Sequence, residues 1–389
     1  MIHRAKFQNF KALRDVEVTF DSRLTVLVGP NGSGKTSVLQ GIHSLSQLAV
    51  LSGSDPEYPL TTFKEYLSLG ITSAELEVEM EGSRSESENY STTVSWSPNK
   101  PISSTLSINT DNTPKHLWQM FPDSERQYFA VLYKYTNEQW SRLGRVEQVP
   151  PDDARRFDFT AFIRFSAGQL AAPTLIRSYP PQVAKDGLGL AATLSHIKSK
   201  YPERFDAIID AFRRVIPNVK GVRFDKARVP QSEFYGDILL VDYTGVNGVK
   251  ASHVSSGTLF ALGLLTVALG QDAANVILLD DLDHGLHPKA QMELISVFRN
   301  LIEQNSDLQI IATSHSPYIL QQLEWNEVRV SELRDDGSVI CARLEDHPEV
   351  ERWREAMTPG EFWSHTGDDW VKKLDRPKPE QPQPAATAP

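Results

Sequence analysis

Gly29-Pro30-Asn31-Gly32-Ser33-Gly34-Lys35-Thr36 is the stretch on which the fold turns. It satisfies the pattern G-x-x-x-x-G-K-[ST], in which glycines let the backbone turn and aim its N–H groups inward at phosphate oxygens. Lys35 supplies a mobile positive charge for the β and γ phosphates, and Thr36 offers a hydroxyl to Mg²⁺. A glycine-rich turn can show these letters by chance, so the flanks decide. Upstream, Leu24 to Val28 is a short apolar run that suits a central strand and ends at Gly29. Downstream, Val38, Leu39, Ile42, Leu45 and Leu48 recur at helical intervals between Lys35 and Leu51. Strand, turn and helix stand in the order the mechanism requires, and a helix start favours bound anions through its unpaired N–H groups and dipole. Gly29, Pro30, Asn31, Gly32, Ser33, Gly34, Lys35, Thr36 and Ser37 are therefore the candidate nucleotide-binding residues. ATP and Mg²⁺ are the implied cofactors.

A second chemical signal lies far downstream. Val276-Ile277-Leu278-Leu279 is a buried-strand run ending in Asp280-Asp281. An acidic loop after a core strand is the plain alternative, but the upstream phosphate loop makes a paired role the better reading. Asp280 is the candidate metal ligand beside Thr36, and Asp281 the candidate general base for an attacking water. Asp281 and Asp283 also form a spaced acidic pair of the kind that holds two metals in nucleases, a weaker reading. After the next strand comes Thr313-Ser314-His315-Ser316-Pro317. A lone histidine is usually structural. At the carboxyl end of a parallel strand, where ligands bind, His315 is a candidate γ-phosphate contact with a catalytic role beside Lys35 and Asp281.

Composition sets outer bounds. The chain has 389 residues, 40% hydrophobic and 23% charged, as in a globular protein of one large domain or two to three smaller ones. A net charge of −10 argues against a wholly basic nucleic-acid binder without excluding a local basic groove. Cys341 is the single cysteine, so no internal disulfide can form. No run of about 18 apolar residues and no apolar signal core appear, so the expectation is a cytoplasmic protein with no membrane partner.

Elsewhere the pattern is uneven. The first thirty residues read as strands, with Asp15 to Phe20 alternating as a half-buried one. Ala74 to Met80 and Thr92 to Trp96 favour β structure, Glu81 to Asn89 reads as a loop, and residues 98–115 read as loops or edge strands. Residues 123–145 carry aromatics without a clear period. Pro202 to Val215 is a helix with Phe205, Ile208, Ile209 and Phe212 on one stripe. Ile238 to Tyr243 and Val246 to Val254 read as a strand pair. Then follow a helix over Gly257 to Leu269, the Val276 strand, a helix over Pro288 to Glu303, a strand over Gln309 to Thr313 and a helix over Pro317 to Leu323. Strands alternating with helices imply a mainly parallel sheet covered on both faces. The tail from 376 to 389 is Pro-, Gln- and Ala-rich and reads as disordered.

Taken together, five motifs resemble those of the ABC-type ATPases of the SMC/RecF/OLD superfamily, and more narrowly bacterial AAA-family ATPases with RecF-like heads. They are Phe7-Gln8-Asn9-Phe10-Lys11, the phosphate loop, Val254-Ser255-Ser256-Gly257-Thr258, Asp280-Asp281 with Gly285-Leu286-His287-Pro288, and Thr313-Ser314-His315-Ser316-Pro317. The resemblance implies an α/β P-loop NTPase fold: an ABC-type head with a mixed or parallel central sheet, an antiparallel β subdomain and a helical insertion. It divides residues 1–373 into an N-terminal lobe (about 1–51), insertions (about 52–250), a C-terminal lobe (about 251–323) and an extension (about 324–373). It also implies that Ser255 and Gly257 touch the γ-phosphate held by a second protomer in a head-to-tail homodimer. Read from the residues alone, Ser255-Ser256-Gly257 is a phosphate-facing helix cap or a plain helix start.

Three departures from the family pattern stand out. The signature reads Ser-Ser-Gly-Thr, Asp281 replaces the usual catalytic glutamate, and no glutamine loop is evident, Gln169 being only a guess. The shorter carboxylate implies slow hydrolysis. The leading function is an ATPase switch in anti-phage defence or DNA maintenance, with a separate effector protein, a nuclease among the candidates, and DNA as a further candidate partner. The alternatives are an OLD-like nuclease component, the nucleotide-binding subunit of a transporter, and a non-hydrolysing ATP-gated scaffold. About 65 residues follow Tyr318 before the tail, which reads as too short for a TOPRIM nuclease domain.

Overall fold

The computed structural model describes residues 1–49, 74–81, 88–97, 100–110, 113–122, 128–136, 139–146, 160–174, 179–230, 233–270 and 275–374, with side chains up to 46 and from 160 onward. The expected tail at 376–389 lies outside the described residues, as do residues 82–87 of the expected loop from Glu81 to Asn89, whose ends Glu81, Glu88 and Asn89 belong to strands.

The central element is a six-stranded sheet. Its strands are β3 (Leu24–Val28), β10 (Thr160–Ile163), β14 (Val276–Leu279), β15 (Gln309–Thr313), β16 (Val328–Leu333) and β17 (Val339–Arg343), in the spatial order β10-β14-β15-β3-β16-β17. The first five run parallel and β17 pairs antiparallel with β16. All five residues of β3 are buried, as are all four of β14 and all five of β15. That is why these strands read as continuous apolar runs instead of alternating ones.

Alternate side chains serve two cores. Leu24, Val26 and Val28 of β3, with Ile277, Leu279, Ile310 and Ala312, join one cluster. The helices α4 (Pro202–Val215), α5 (Ser256–Leu269) and α6 (Pro288–Gln304) cover that face. Leu27, Leu278 and Ile311 point the other way, onto Val38, Leu39, Ile42 and Leu45 of α1 (Lys35–Ala49). Phe7, Phe10 and Phe20 close that second cluster from beyond the helix. The sheet is thus fixed from both sides by burial worth roughly 25 cal/mol per Å² of apolar surface.

β1 (Ile2–Phe10) and β2 (Leu13–Thr19) form an antiparallel pair whose alternation matches the sequence expectation. They open an eight-stranded antiparallel sheet with β4 (Ala74–Glu81), β5 (Glu88–Ser97), β6 (Lys100–Thr110), β7 (Thr113–Pro122), β8 (Tyr128–Thr136) and β9 (Gln139–Val146). Residues 98–115 differ from the expected loops or edge strands: β6 is an interior strand paired on both sides, and Thr113 and Pro114 at the start of β7 pair with it. Ser, Thr and Asn stretches read as loops when backbone pairing, which composition does not display, is what orders them.

Between β10 and β14 lie α2 (Ala167–Ala171), α3 (Leu190–Lys200), α4 and a three-stranded antiparallel sheet of β11 (Val219–Arg228), β12 (Tyr235–Tyr243) and β13 (Val246–Lys250). β13 is shorter than the expected Val246 to Val254, because residues 251–253 turn into one 3₁₀ turn that leads to α5. α7 (Pro317–Leu320) also stops before Leu323, with Leu323 N–H bonding Leu320 O in a further turn. The chain continues into α8 (Val350–Trp353), α9 (Pro359–Thr366) and α10 (Trp370–Leu374). Among the described residues no helix is long and apolar enough to cross a membrane.

A candidate nucleotide site at the strand ends

The parallel strands end together. Leu279 of β14 lies beside Ile163 of β10 and Ala312 of β15, and Thr313 beside Leu27 of β3. The next residue of each strand projects at the carboxyl edge of the sheet, where open α/β sheets bind ligands. The phosphate loop, Arg164, Asp280 and Ser314 therefore meet at one rim.

The loop has the required backbone. Gly29, Gly32 and Gly34 hold φ of +136°, +83° and +86°, a region in which a side chain is strained. Gly29 also runs so close to β16 that a Cβ there would overlap the Ser331 carbonyl oxygen. Ser331 in turn donates its hydroxyl to Ser33 O, fixing the far side of the loop. Lys35 is 6% exposed, and its ammonium donates to Gly29 O at 2.9 Å and Pro30 O at 2.7 Å. Burial lowers its pKa from the usual lysine value, and Asp281, Asp368, Asp280 and Asp283 oppose that shift.

Asp280 is bound to the loop across 244 positions of sequence. Its Oδ1 accepts from Thr36 Oγ1 at 2.8 Å and from Thr313 Oγ1 at 2.9 Å. Thr313 Oγ1 also accepts the Asp281 N–H at 2.9 Å, so one hydroxyl locks both acidic residues to β15. Asp281 adopts φ +58°, a left-handed turn that swings the chain off the strand. Oδ2 of Asp280 is buried without a hydrogen-bond donor, and Arg164 Nε is 3.4 Å from it. A buried carboxylate with a spare oxygen beside a threonine hydroxyl suits a hard divalent cation, and Thr36 and Asp280 are the residues that would hold Mg²⁺. Among the described residues no group of three or more His, Cys, Asp or Glu forms a separate metal cluster.

Asp283 is engaged within the neighbouring loop. Its Oδ1 accepts from Ser314 Oγ at 2.6 Å and from the His315 N–H at 3.0 Å. It braces the loop that carries His315, whose side chain is exposed at the rim. Ser316 caps α7 and bonds Gln291 of α6, anchoring the same loop from behind.

Ser255 and Gly257 open α5 as expected. Ser255 Oγ accepts the Thr258 N–H, capping the helix. Gly257 abuts Gly285, where a Cβ would overlap the Gly285 carbonyl, and Phe260 packs on His284 with ring centroids 4.7 Å apart. α5 is thus tied to the turn that follows Asp281, rather than to the phosphate loop of its own chain.

Two further residues reach the rim: Arg164, which no sequence motif marks, and Lys11, which the motif Phe7 to Lys11 contains without a role attached to it. Arg164 follows β10, and Lys11 follows β1 at φ +53°, bonded to Gln40 of α1. Burial lowers the Lys11 pKa, as does Arg164, while Asp280 raises it, which places all three in one electrostatic neighbourhood. The short apolar run Thr160 to Ile163 was the signal available for Arg164. Gln169, the guess for a glutamine loop, sits exposed on α2 further along the same segment. A cavity of about 330 Å³ along β10, lined by His43, Lys185, Thr193 and His196, holds none of the phosphate-loop residues.

Comparison with known proteins agrees with this geometry. Septu protein PtuA of Bacillus thuringiensis is 35% identical over 74 residues, 19% of this chain and 18% of that protein. Septu protein PtuA of Bacillus mycoides strain KBAB4 is 22% identical over 345 residues, 85% of this chain and 40% of its own length. The chain therefore spans less than half of either relative. The DNA double-strand break repair Rad50 ATPase of Methanopyrus kandleri is 48% identical over 42 residues, 11% of this chain and 5% of that one. Among solved structures, an Smc head bound to the C-terminal winged-helix domain of ScpA matches with TM-score 0.55 and 14% identity over 88% of this chain and 98% of its own. A Pyrococcus furiosus Smc head with an extended coiled coil matches with TM-score 0.52 and 12% identity, over 91% and 99%. These likenesses show an SMC-head fold, the ABC-type P-loop architecture expected from the motifs. The family described as "AAA domain, putative AbiEii toxin, Type IV TA system" matches residues 24–321, and the chain belongs to this family of AAA ATPases.

Proposed function

We propose that the chain is an ATP-driven switch that closes as a head-to-tail homodimer around nucleotide and opens on hydrolysis. The observation that carries this is the hydroxyl chain Thr36–Asp280–Thr313–Asp281, which links the phosphate loop to the acidic strand end. The loop amides and Lys35 bind and orient the triphosphate, and Thr36 and Asp280 would hold Mg²⁺, which would supply charge neutralisation. Asp281 orients and deprotonates the attacking water, and His315 contacts the terminal phosphate. Ser255 and Gly257 face the nucleotide of the partner protomer; their attachment to the turn after Asp281 couples closure to the acidic residues of the same chain. A γ-phosphate bridging two protomers interacts differently with the open and closed states, which is what a switch requires.

Anti-phage defence with a separate effector protein is the biological setting we favour, in the cytoplasm. The likeness to Septu proteins and the toxin–antitoxin wording of the family support it over DNA maintenance. A nuclease made by Asp281 and Asp283 is disfavoured, because Asp283 Oδ1 is committed to Ser314 and His315. A non-hydrolysing scaffold remains as the second reading, supported by the short side chain of Asp281.

The test is phosphate release by pure protein, with and without DNA, together with its mass in solution with ATP. The switch reading expects turnover that Asp281→Asn abolishes, and an ATP-dependent dimer that Asp281→Asn traps. A dimer with no turnover in the wild type would establish the scaffold; no dimer under any condition would refute the switch.

A further inference from the structure

Asp280 presents an electrostatic problem that the nucleotide reading does not absorb. Its side chain is fully buried, and a buried carboxylate is costly without a compensating charge. Oδ1 receives two hydroxyls, but Oδ2 has no hydrogen-bond donor. The Lys35 ammonium is directed to Gly29 O, Pro30 O and Ser33 Oγ. The guanidinium of Arg164 lies at ion-pair distance from Oδ2, 3.4 Å, with the Lys11 and Lys35 ammoniums acting on the same carboxylate through space.

Arg164 is built unequally. Its backbone is fixed: Arg164 N–H donates to Lys185 O at 2.8 Å, and the preceding Ile163 O accepts the Asp280 N–H at 2.9 Å. Parallel pairing of β10 with β14 puts the arginine one residue past Ile163 and the aspartate one past Leu279, at the same level. Its side chain, by contrast, is 60% exposed while that of Asp280 is 0%. The guanidinium is thus the solvent-facing member of the pair, and the carboxylate the buried one.

We propose that Arg164 is a resident counter-cation of Asp280, which neutralises the carboxylate in the nucleotide-free chain and is displaced when a divalent cation binds there. This rests on the nucleotide reading of the site and assigns Arg164 the role of a positioning residue that sets how much divalent cation the site needs. The arginine of the pair is solvent-facing and therefore screened, which limits its worth to about 1 kcal/mol, or roughly five-fold in an equilibrium constant.

Mn²⁺ binding in the presence of saturating ADP, followed by the loss of the free-ion paramagnetic resonance signal beyond that caused by ADP without protein, tests it without any turnover. Arg164→Ala is expected to bind Mn²⁺ about five-fold more tightly than the wild type, and Arg164→Lys to stay within about two-fold of it. A merely structural arginine would leave the affinity unchanged or weaken it in Arg164→Ala, and either result overturns the proposal while the nucleotide site stands. A wild-type chain that binds no Mn²⁺ with ADP overturns the nucleotide reading and this proposal with it.

Discussion

Replacing Gly29 and Gly32 by alanine separates what the phosphate loop owes to backbone conformation from what it owes to close approach. Both glycines have positive φ, +136° and +83°, so alanine is strained at either. At Gly32 a Cβ meets nothing within 4 Å, and the cost is the left-handed conformation alone, about 1–2 kcal/mol. At Gly29 the Cβ also overlaps the Ser331 carbonyl and comes within 3.1 Å of Ser33 Oγ. Strained backbone costs about 1–3 kcal/mol and overpacking a further 1–3 kcal/mol, so Gly29→Ala loses about 2–6 kcal/mol in all. β3 and β16 are hydrogen-bonded neighbours, so neither backbone can retreat cheaply. At roughly 2 °C per kcal/mol for a chain of this size, Gly32→Ala lowers the melting temperature by roughly 2–4 °C and Gly29→Ala by roughly 4–12 °C. Differential scanning calorimetry on the two variants reads the difference directly. If Gly29→Ala melts at or above Gly32→Ala, the close approach of loop and β16 does not hold the site as described.

Two further outcomes follow from the same geometry. Thr313→Val removes one of the two hydroxyl donors to Asp280 and the acceptor of the Asp281 N–H; it should cost about 1–3 kcal/mol in denaturant unfolding and lower phosphate release more than nucleotide affinity. His43, bonded to Thr160 and stacked on Phe162, has its pKa lowered to about 4 by burial and by Lys185. The unfolded chain binds that proton first, at the ordinary value of about 6.5, so stability should fall as pH drops from about 6.5 to about 4. The full loss is at most about 3 kcal/mol for this partly buried ring, and urea melts at pH 7, 5 and 4 should show a shallower fall in His43→Gln.

The sequence disclosed the site where chemistry is local. Gly29 to Thr36, the apolar run before it and the helix after it are adjacent in the chain, and each carries its own period or turn residue. Asp280 and His315 were readable because fully buried parallel strands announce their carboxyl ends by an abrupt change from apolar to polar residues. Arg164 was not readable, since its importance comes from β10 pairing with β14 more than a hundred residues later, and four residues of strand carry too little pattern to reveal a partner. Asp283 was read as a metal ligand in one alternative because spacing shows which carboxylates are near each other but not which are already engaged by Ser314 and His315. Residues 98–115 read as loops or edge strands because Ser, Thr and Asn favour turns locally, and only the cross-strand ladder shows β6 to be an interior strand.

The central claim is that the loop amides and the Lys35 ammonium wrap a triphosphate. Calorimetric titration of Mg²⁺·ATP into the wild type and Lys35→Ala tests it most directly. Charged hydrogen bonds to phosphate are worth about 1.5–3 kcal/mol, so saturable wild-type binding should weaken roughly 10- to 100-fold in the variant. Wild-type protein that takes up no nucleotide, or a Lys35→Ala variant that binds as tightly as the wild type, would contradict the account.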